Sequence, residues 1–237
     1  MTRYSSRVPA WRGVRAGAMT LRVALAALLF AAVPDHGSAQ GLADFDYENL
    51  SFRGIAAEWG YIFPDRVEST SSLSARMDLG FLGPGVRVVT GVTHWSSFLV
   101  ADEVGRLERR VEELVLERSG EVVEIDLGQI EWRDLALHAD AHMMWQVPFG
   151  MLTFAGLGIS AHLMQGSGRA IDDTFVEDLL DSVRAGINAH AGVEVPLHRR
   201  FRLLGQGRVE MLEDLRYLEL RLGGQFMFRG WLPGEGD

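Results

Sequence analysis

From Gly54 onward the chain alternates between apolar and polar positions in blocks of about ten residues. The clearest block is residues 72–81. Leu73, Ala75, Met77, Leu79 and Phe81 fall on one face, and Ser72, Ser74, Arg76, Asp78 and Gly80 on the other. A helix, turning about every 3.6 residues, would scatter both sets around its circumference, so a period of two predicts a strand with two unlike faces.

Seven further blocks read the same way. In the first, Ile55, Ala57, Trp59, Tyr61 and Phe63 oppose Gly54, Ala56, Glu58 and Gly60; in the third, Val86, Val88, Thr90 and Val92 oppose Arg87, Val89, Gly91 and Thr93. The fourth sets Leu135, Leu137, Ala139, Ala141, Met143 and Trp145 against Asp134, His138, Asp140 and His142. The fifth sets Thr153, Ala155, Leu157, Ile159, Ala161 and Leu163 against Gly156, Gly158, Ser160 and His162. In the sixth, Ile187, Ala189, Ala191, Val193 and Val195 oppose Asn188, His190, Gly192 and Glu194. The seventh, interrupted by glycine, sets Phe201, Leu203, Val209 and Met211 against Arg202, Gln206, Arg208 and Glu210; the eighth sets Leu218, Leu220, Leu222, Phe226 and Phe228 against Glu219, Arg221, Gly223 and Gln225.

Three connections are tight and carry Pro or Gly (residues 82–85, 147–150 and 196–200), whereas those between them are mostly longer. Short turns on one side and long loops on the other is the pattern of an outer-membrane barrel, and an even strand count puts both termini on the short-turn, periplasmic side. The expected fold is therefore all-β: an eight-stranded antiparallel up-and-down transmembrane β-barrel spanning residues 52–231, with short helices in two long extracellular loops, 96–128 and 166–185. Val104, Leu107, Val111, Leu114 and Val115 predict a helical stripe in the first of these loops, and Phe175, Leu179, Leu180 and Val183 a second stripe behind the acidic start Asp172 and Asp173. The two stripes either pack on each other as a cap over the barrel mouth or lie against its rim. Residues 121–125 (EVVEI) are a candidate extension of the barrel strands.

The polarity of the faces sets the medium. A soluble lipocalin-like barrel is apolar inside, but here the uniform apolar faces are too wide for a lumen lining, so the charged faces are assigned to the inside. They carry Glu58, Arg76, Asp78, Arg87, Asp134, Asp140, Glu194, Arg202, Arg208, Glu210, Glu219 and Arg221, joined by His138 and His142. An eight-stranded barrel is just wide enough for side chains to fill, so these groups are expected to pair as a structural network. Trp59, Tyr61, Phe63, Trp95, Trp145, Phe226, Phe228 and Trp231 fall near strand ends, where interfacial aromatic girdles occur.

At the N-terminus, Arg3, Arg7, Arg12, Arg15 and Arg22 precede the uncharged run 23–33 (VALAALLFAAV) and the small residues Gly37, Ser38 and Ala39. This has the form of a secretory signal peptide covering residues 1–39, with Met1 or Met19 as the start. Residues 40–51 would then be a periplasmic segment and 232–237 a C-terminal tail. Cleavage would leave 18 basic and 31 acidic residues, a formal charge of −13, which argues against nucleic acid as a partner. The chain has no Cys, so neither a disulfide framework nor thiolate chemistry is available.

Arg221-Leu222-Gly223-Gly224-Gln225-Phe226-Met227-Phe228 resembles the β-signal read by the outer-membrane assembly machinery, with Arg221, Gly223, Phe226 and Phe228 at its specified positions. That signal ordinarily ends on the aromatic, whereas here residues 229–237 follow. By strand count and turn placement the chain is similar to the small outer-membrane barrels of the OmpX, OmpW and OmpA-domain kind. The resemblance implies residence in the bacterial outer membrane, contact with its lipid and assembly machinery, and a monomer.

No catalytic or cofactor-binding residues are expected. His138 and His142 are four residues apart on one strand, about 13 Å at ~3.3 Å per residue, too far to share a metal ion, and a chelate would need partners across strands. Inward histidines, including His162 and His190, are therefore expected to be satisfied within the lumen. Neither Gly156-Leu157-Gly158 nor Gly205-Gln206-Gly207 opens a helix in a βαβ unit, so neither is a nucleotide loop. The expected function is non-enzymatic, with long loops serving surface binding or envelope integrity and any extracellular ligand left open; the alternatives are a narrow solute pore and an outer-membrane lipid hydrolase built around Ser160 and His162.

Overall fold

A computed structural model describes residues 50–120, 122, 124–169 and 180–228. Eight strands are described, β1 (Leu50–Pro64), β2 (Thr70–Gly83), β3 (Val86–Phe98), β4 (Glu131–Gln146), β5 (Leu152–Ser167), β6 (Ser182–His198), β7 (Phe201–Leu212) and β8 (Arg216–Met227), with a helix, α1 (Ala101–Ser119), between β3 and β4. Each strand pairs antiparallel with its sequence neighbour, and β8 closes on β1 to form a barrel. Closure leaves no sheet edge, which a hydrocarbon environment requires because no water is there to satisfy one.

Alternation fixes the faces. Leu73, Leu137, Leu157 and Leu222 are exposed by 64, 54, 69 and 66 %, while Arg76, Asp140, Arg208 and Arg221 between such positions are all under 5 % exposed. Large apolar side chains outside and charges inside is the reverse of a soluble domain. On the outer surface the aromatics gather at two levels. Tyr61 and Phe63 touch at the long-connection end; at the short-turn end Phe228 contacts both Phe52 and Phe226. From Phe52 to Tyr61 is about 30 Å along β1 at ~3.3 Å per residue, and a tilt near 40° reduces it to roughly 23 Å, close to the ~25 Å apolar band of a membrane barrel.

Two expectations about orientation and one about continuity need correcting. Phe81 is buried inside rather than lipid-facing, because the register of β2 on β3 shifts after Asp78. Gly80 takes φ 88° there and its N–H donates to Asp78 Oδ1 at 2.9 Å, a conformation that glycine adopts without steric cost and that turns the next side chain inward. Trp95 is also buried inside, 1 % exposed, and takes no part in an outer girdle. Trp231 lies outside the described residues. The glycines of β7 do not interrupt it: Gly205 and Gly207 sit on its outer face and the strand runs unbroken.

The loop following β3 forms α1 with the predicted stripe, and Val111 is its buried centre. Its apolar face is covered by the return leg of its own loop, Ile125, Leu127 and Ile130, together with Leu99 and Leu180; Val104, Leu107 and Val115 pack at the margin, while Leu114 faces out. Glu112 and Glu108 on the helix accept hydrogen bonds from the N–H groups of Ile125 and Leu127. Residues 121–125 are thus no strand extension where they are described: Ile125 is held on the helix. Val183 is not helical either. It lies in β6 opposite Leu163, 74 % exposed, because Val183, Ala185 and Ile187 carry the period of two outward. Phe175 and Leu179 lie outside the described residues.

Candidate functional site: the filled lumen

Every strand contributes to the interior. Glu58 enters from β1, Arg76 and Asp78 from β2, Arg87 from β3, Asp134, His138, Asp140 and His142 from β4, Glu194 from β6, Arg202, Arg208 and Glu210 from β7, and Glu219 and Arg221 from β8; all are buried. Ser160 and His162 from β5 join them, with Asn188 and His190 from β6.

Two ionic clusters result. Toward the short turns, Glu194 is met by Arg87, by Arg202 at 2.8 Å and by Arg76 at 3.9 Å. Arg87 also reaches Asp78 at 3.4 Å, and Arg76 reaches Glu58 at 3.3 Å. Toward the long connections, Arg208 bridges Asp140 and Glu210, each at 2.8 Å. Arg221 joins Glu219 at 2.5 Å and extends to Glu58 at 3.7 Å, linking the clusters. Charges removed from water persist only when paired and hydrogen-bonded. Neutral polar groups supply further hydrogen bonds: Gln225 donates to Asp78, Gln206 accepts from Arg76, and Ser72 donates to Glu219.

One constellation has the spacing of a nucleophile, base and carboxylate. His162 Nε2 lies 3.0 Å from Ser160 Oγ and His162 Nδ1 2.8 Å from Asp134 Oδ2. The Ser160 hydroxyl, however, donates its proton to Glu210 Oε1. The ring nitrogen facing that oxygen must then donate, as must the one facing Asp134, which leaves the imidazole without the lone pair a general base needs. Asp134, Ser160 and His162 are all buried.

Above this layer, toward the long connections, Ile62, Trp95, Trp132, Met164, Leu212 and Tyr217 point inward and pack with Val67 and Leu215 into an apolar plug. Trp95 and Tyr217 meet edge to face at 6.2 Å, a favoured aromatic geometry. Alternation of polarity does not reveal this plug, yet the sequence carries a signal for it: each of the six stands two residues beyond an inward polar or glycine position, Trp95 after Thr93, Trp132 before Asp134, Tyr217 before Glu219. Asp140, His142 and His190 each offer an atom able to ligate a metal, and these three atoms lie within 4.8 Å of one another. His138 is not among them; its Nδ1 lies 2.9 Å from Asp140 Oδ2.

The β-signal positions divide between the faces. Arg221 is inside the network, Phe226 and Phe228 lie on the outer surface, and Gly223 opposes Glu58 on β1.

No protein-family model matches the sequence, and no curated protein is found similar to it. Among solved structures, similarity is found to Neisserial surface protein A (12 % identity, 74 % of this chain and 97 % of that one, TM-score 0.49). It is also found to Ail, the attachment invasion locus protein of Yersinia pestis (10 % identity, 76 % and 99 %, TM-score 0.45), and to the N-terminal β-barrel domain of Pseudomonas aeruginosa OprF (11 % identity, 74 % and 97 %, TM-score 0.43). By the polarity of its own two faces, the chain is an eight-stranded transmembrane β-barrel of the outer-membrane kind with an ionic, side-chain-filled interior.

Proposed function

We propose that this chain is a monomeric, non-enzymatic outer-membrane protein whose barrel is a closed support for its extracellular loops, with α1 as the principal surface for envelope or surface contacts. Lipid surrounds its apolar belt, and the assembly machinery recognises its last strand. The observation that carries the reading is the apolar plug of Ile62, Trp95, Trp132, Met164, Leu212 and Tyr217 seated over a paired ionic layer. An interior filled in this way leaves no aqueous path, which favours a support over a solute pore. The engaged Ser160 hydroxyl favours it over a hydrolase. Against the support, α1 holds its own apolar core of Val111, Leu127 and Ile130, so the loop keeps a fixed shape above the barrel and presents its charged faces outward.

Planar-bilayer recording on the refolded chain tests this. The expected result is a baseline without discrete steps across a range of voltages. Regular single-channel steps from the wild-type chain would make the pore reading correct instead.

A further inference from the structure

β5 carries two glycines on its inner face where its neighbours carry large polar residues. His142 on β4 pairs with Gly156, which pairs with His190 on β6; one step along, Asp140 pairs with Gly158 and Gly158 with Asn188. A Cβ on Gly158 would stand 1.9 Å from Asp140 Oδ1, and one on Gly156 2.5 Å from His190 Nε2. The side chains of β4 and β6 thus lean across β5 and meet over a stretch of bare backbone that any other residue would fill.

We propose that Asp140, His142 and His190 form a binding site for one divalent transition-metal ion of the zinc class inside the barrel. One ligating atom from each lies within 4.8 Å of the other two. A tetrahedral zinc centre with bonds of about 2.0–2.1 Å holds its ligands ~3.4 Å apart, so the three atoms need approach by no more than about 1.4 Å, within the reach of side-chain rotation. Imidazole with carboxylate suits zinc and its neighbours rather than calcium or magnesium, which take oxygen ligands.

Hydrogen bonding leaves one atom of each residue spare. Asp140 Oδ1, His142 Nε2 and His190 Nε2 have no hydrogen-bond partner among the described residues, and the three side chains belong to residues no more than 5 % exposed. Buried polar atoms without a partner are rare in native proteins and call for an explanation. The opposite atoms of two of these residues are fixed as the outer contacts of a metal site are. His190 Nδ1 lies 2.8 Å from Asn188 Oδ1, which can only accept, so the ring donates there and its Nε2 keeps a lone pair. Asp140 Oδ2 accepts from His138 Nδ1 at 2.9 Å and from Arg208 Nη1 at 2.8 Å, which leaves Oδ1 for a single metal bond.

His142 is the ligand that must adjust. Its Nδ1 is 3.2 Å from Arg87 Nη2, and binding through Nε2 moves the ring proton to Nδ1, at the cost of that contact. Arg87 retains the carboxylates of Asp78 and Glu194. The surrounding charge also favours a cation. Seven buried carboxylates face five buried guanidiniums, and the doubly donating His162 offsets only one of the two negative charges in excess. With the plug above, the ion enters as the barrel closes, so loading is coupled to folding.

The test is to refold the untagged chain from urea into detergent micelles with zinc chloride, remove loose metal by gel filtration and measure zinc per chain by mass spectrometry. About one zinc per heat-modifiable barrel is expected. Asp140→Asn and His190→Gln should lower it at least about tenfold, while His198→Gln, at the exposed end of β6, should not. Refolding the wild-type chain with cobalt(II) gives a second readout that needs no variant: visible d–d bands of a tetrahedral centre support the site. A folded wild-type barrel without zinc and without those bands overturns the proposal, as does zinc that His190→Gln leaves undiminished; in either case the spare atoms are served by a bridging water.

Discussion

The apolar plug and the ionic network beneath it occupy the same barrel, and adjoin where Asp134 follows Trp132 and Glu219 follows Tyr217 two residues along a strand, yet they are held by opposite physics. Trp95, Trp132 and Tyr217 close the plug by area and dispersion, without direction. Arg87, Glu194 and Arg202 close the ionic layer through oriented contacts, where each charge depends on its partner. The difference teaches that a barrel interior can be filled in two ways, one tolerant of shape changes and one intolerant of any change in charge.

The largest expected effect comes from breaking the ionic layer on one side. Glu194→Gln keeps the shape but withdraws the carboxylate that Arg76, Arg87 and Arg202 share, and about 3–5 kcal/mol of stability should be lost, read as a lower urea midpoint in lipid vesicles. A midpoint like wild type would mean that the arginines are compensated by water and that the layer is wet. Next comes the outer face. Leu137→Arg places a charge in the apolar belt and should cost roughly 2–4 kcal/mol near the bilayer midplane, whereas Leu137→Met should fold normally; equal yields of folded barrel for the two would put Leu137 outside the lipid belt. The plug should prove forgiving. Met164→Leu keeps apolar volume and should cost less than about 1.5 kcal/mol in the same unfolding measurement, and a larger loss would mean that the plug, too, depends on exact shape. The smallest effect is expected from the loop of α1. Replacing residues 101–128 by a short linker should change barrel stability by no more than about 1 kcal/mol, since loop length enters closure entropy only logarithmically; a collapse of folding would show that α1 braces the wall.

Most of the wall is legible in the sequence, because a period of two with one face in lipid and the other inside writes itself on every strand. The charged network is legible for the same reason: Arg76 and Asp78, or Glu219 and Arg221, sit on the face opposite the leucines. What period two does not show is how far the inward face continues once its residues become apolar. Trp95 and Trp132 therefore read as surface aromatics or not at all, since an aromatic near a strand end is as apt to face lipid as to cap a lumen. Phe81 departs from the alternation because a single glycine at positive φ moves it by one residue, and nothing in the neighbouring sequence marks that shift. The meeting of Asp140, His142 and His190 depends on register across three strands. Spacing along one strand separates His138 from His142 and is silent about His190, whereas the glycines of β5 that bring the cluster together carry no side chain to advertise it.

The inverted barrel is tested most directly by tryptophan quenching in vesicles whose acyl chains carry bromine. Trp59 faces outward, 53 % exposed, and Trp95 faces inward at 1 %, so two variants, each retaining one of them with every other Trp replaced by Phe, compare the faces within one fold. Strong quenching of Trp59 by brominated chains with Trp95 emission unchanged is the predicted result; equal quenching of both, or quenching of Trp95 alone, would contradict the assignment of inside and outside on which the whole account depends.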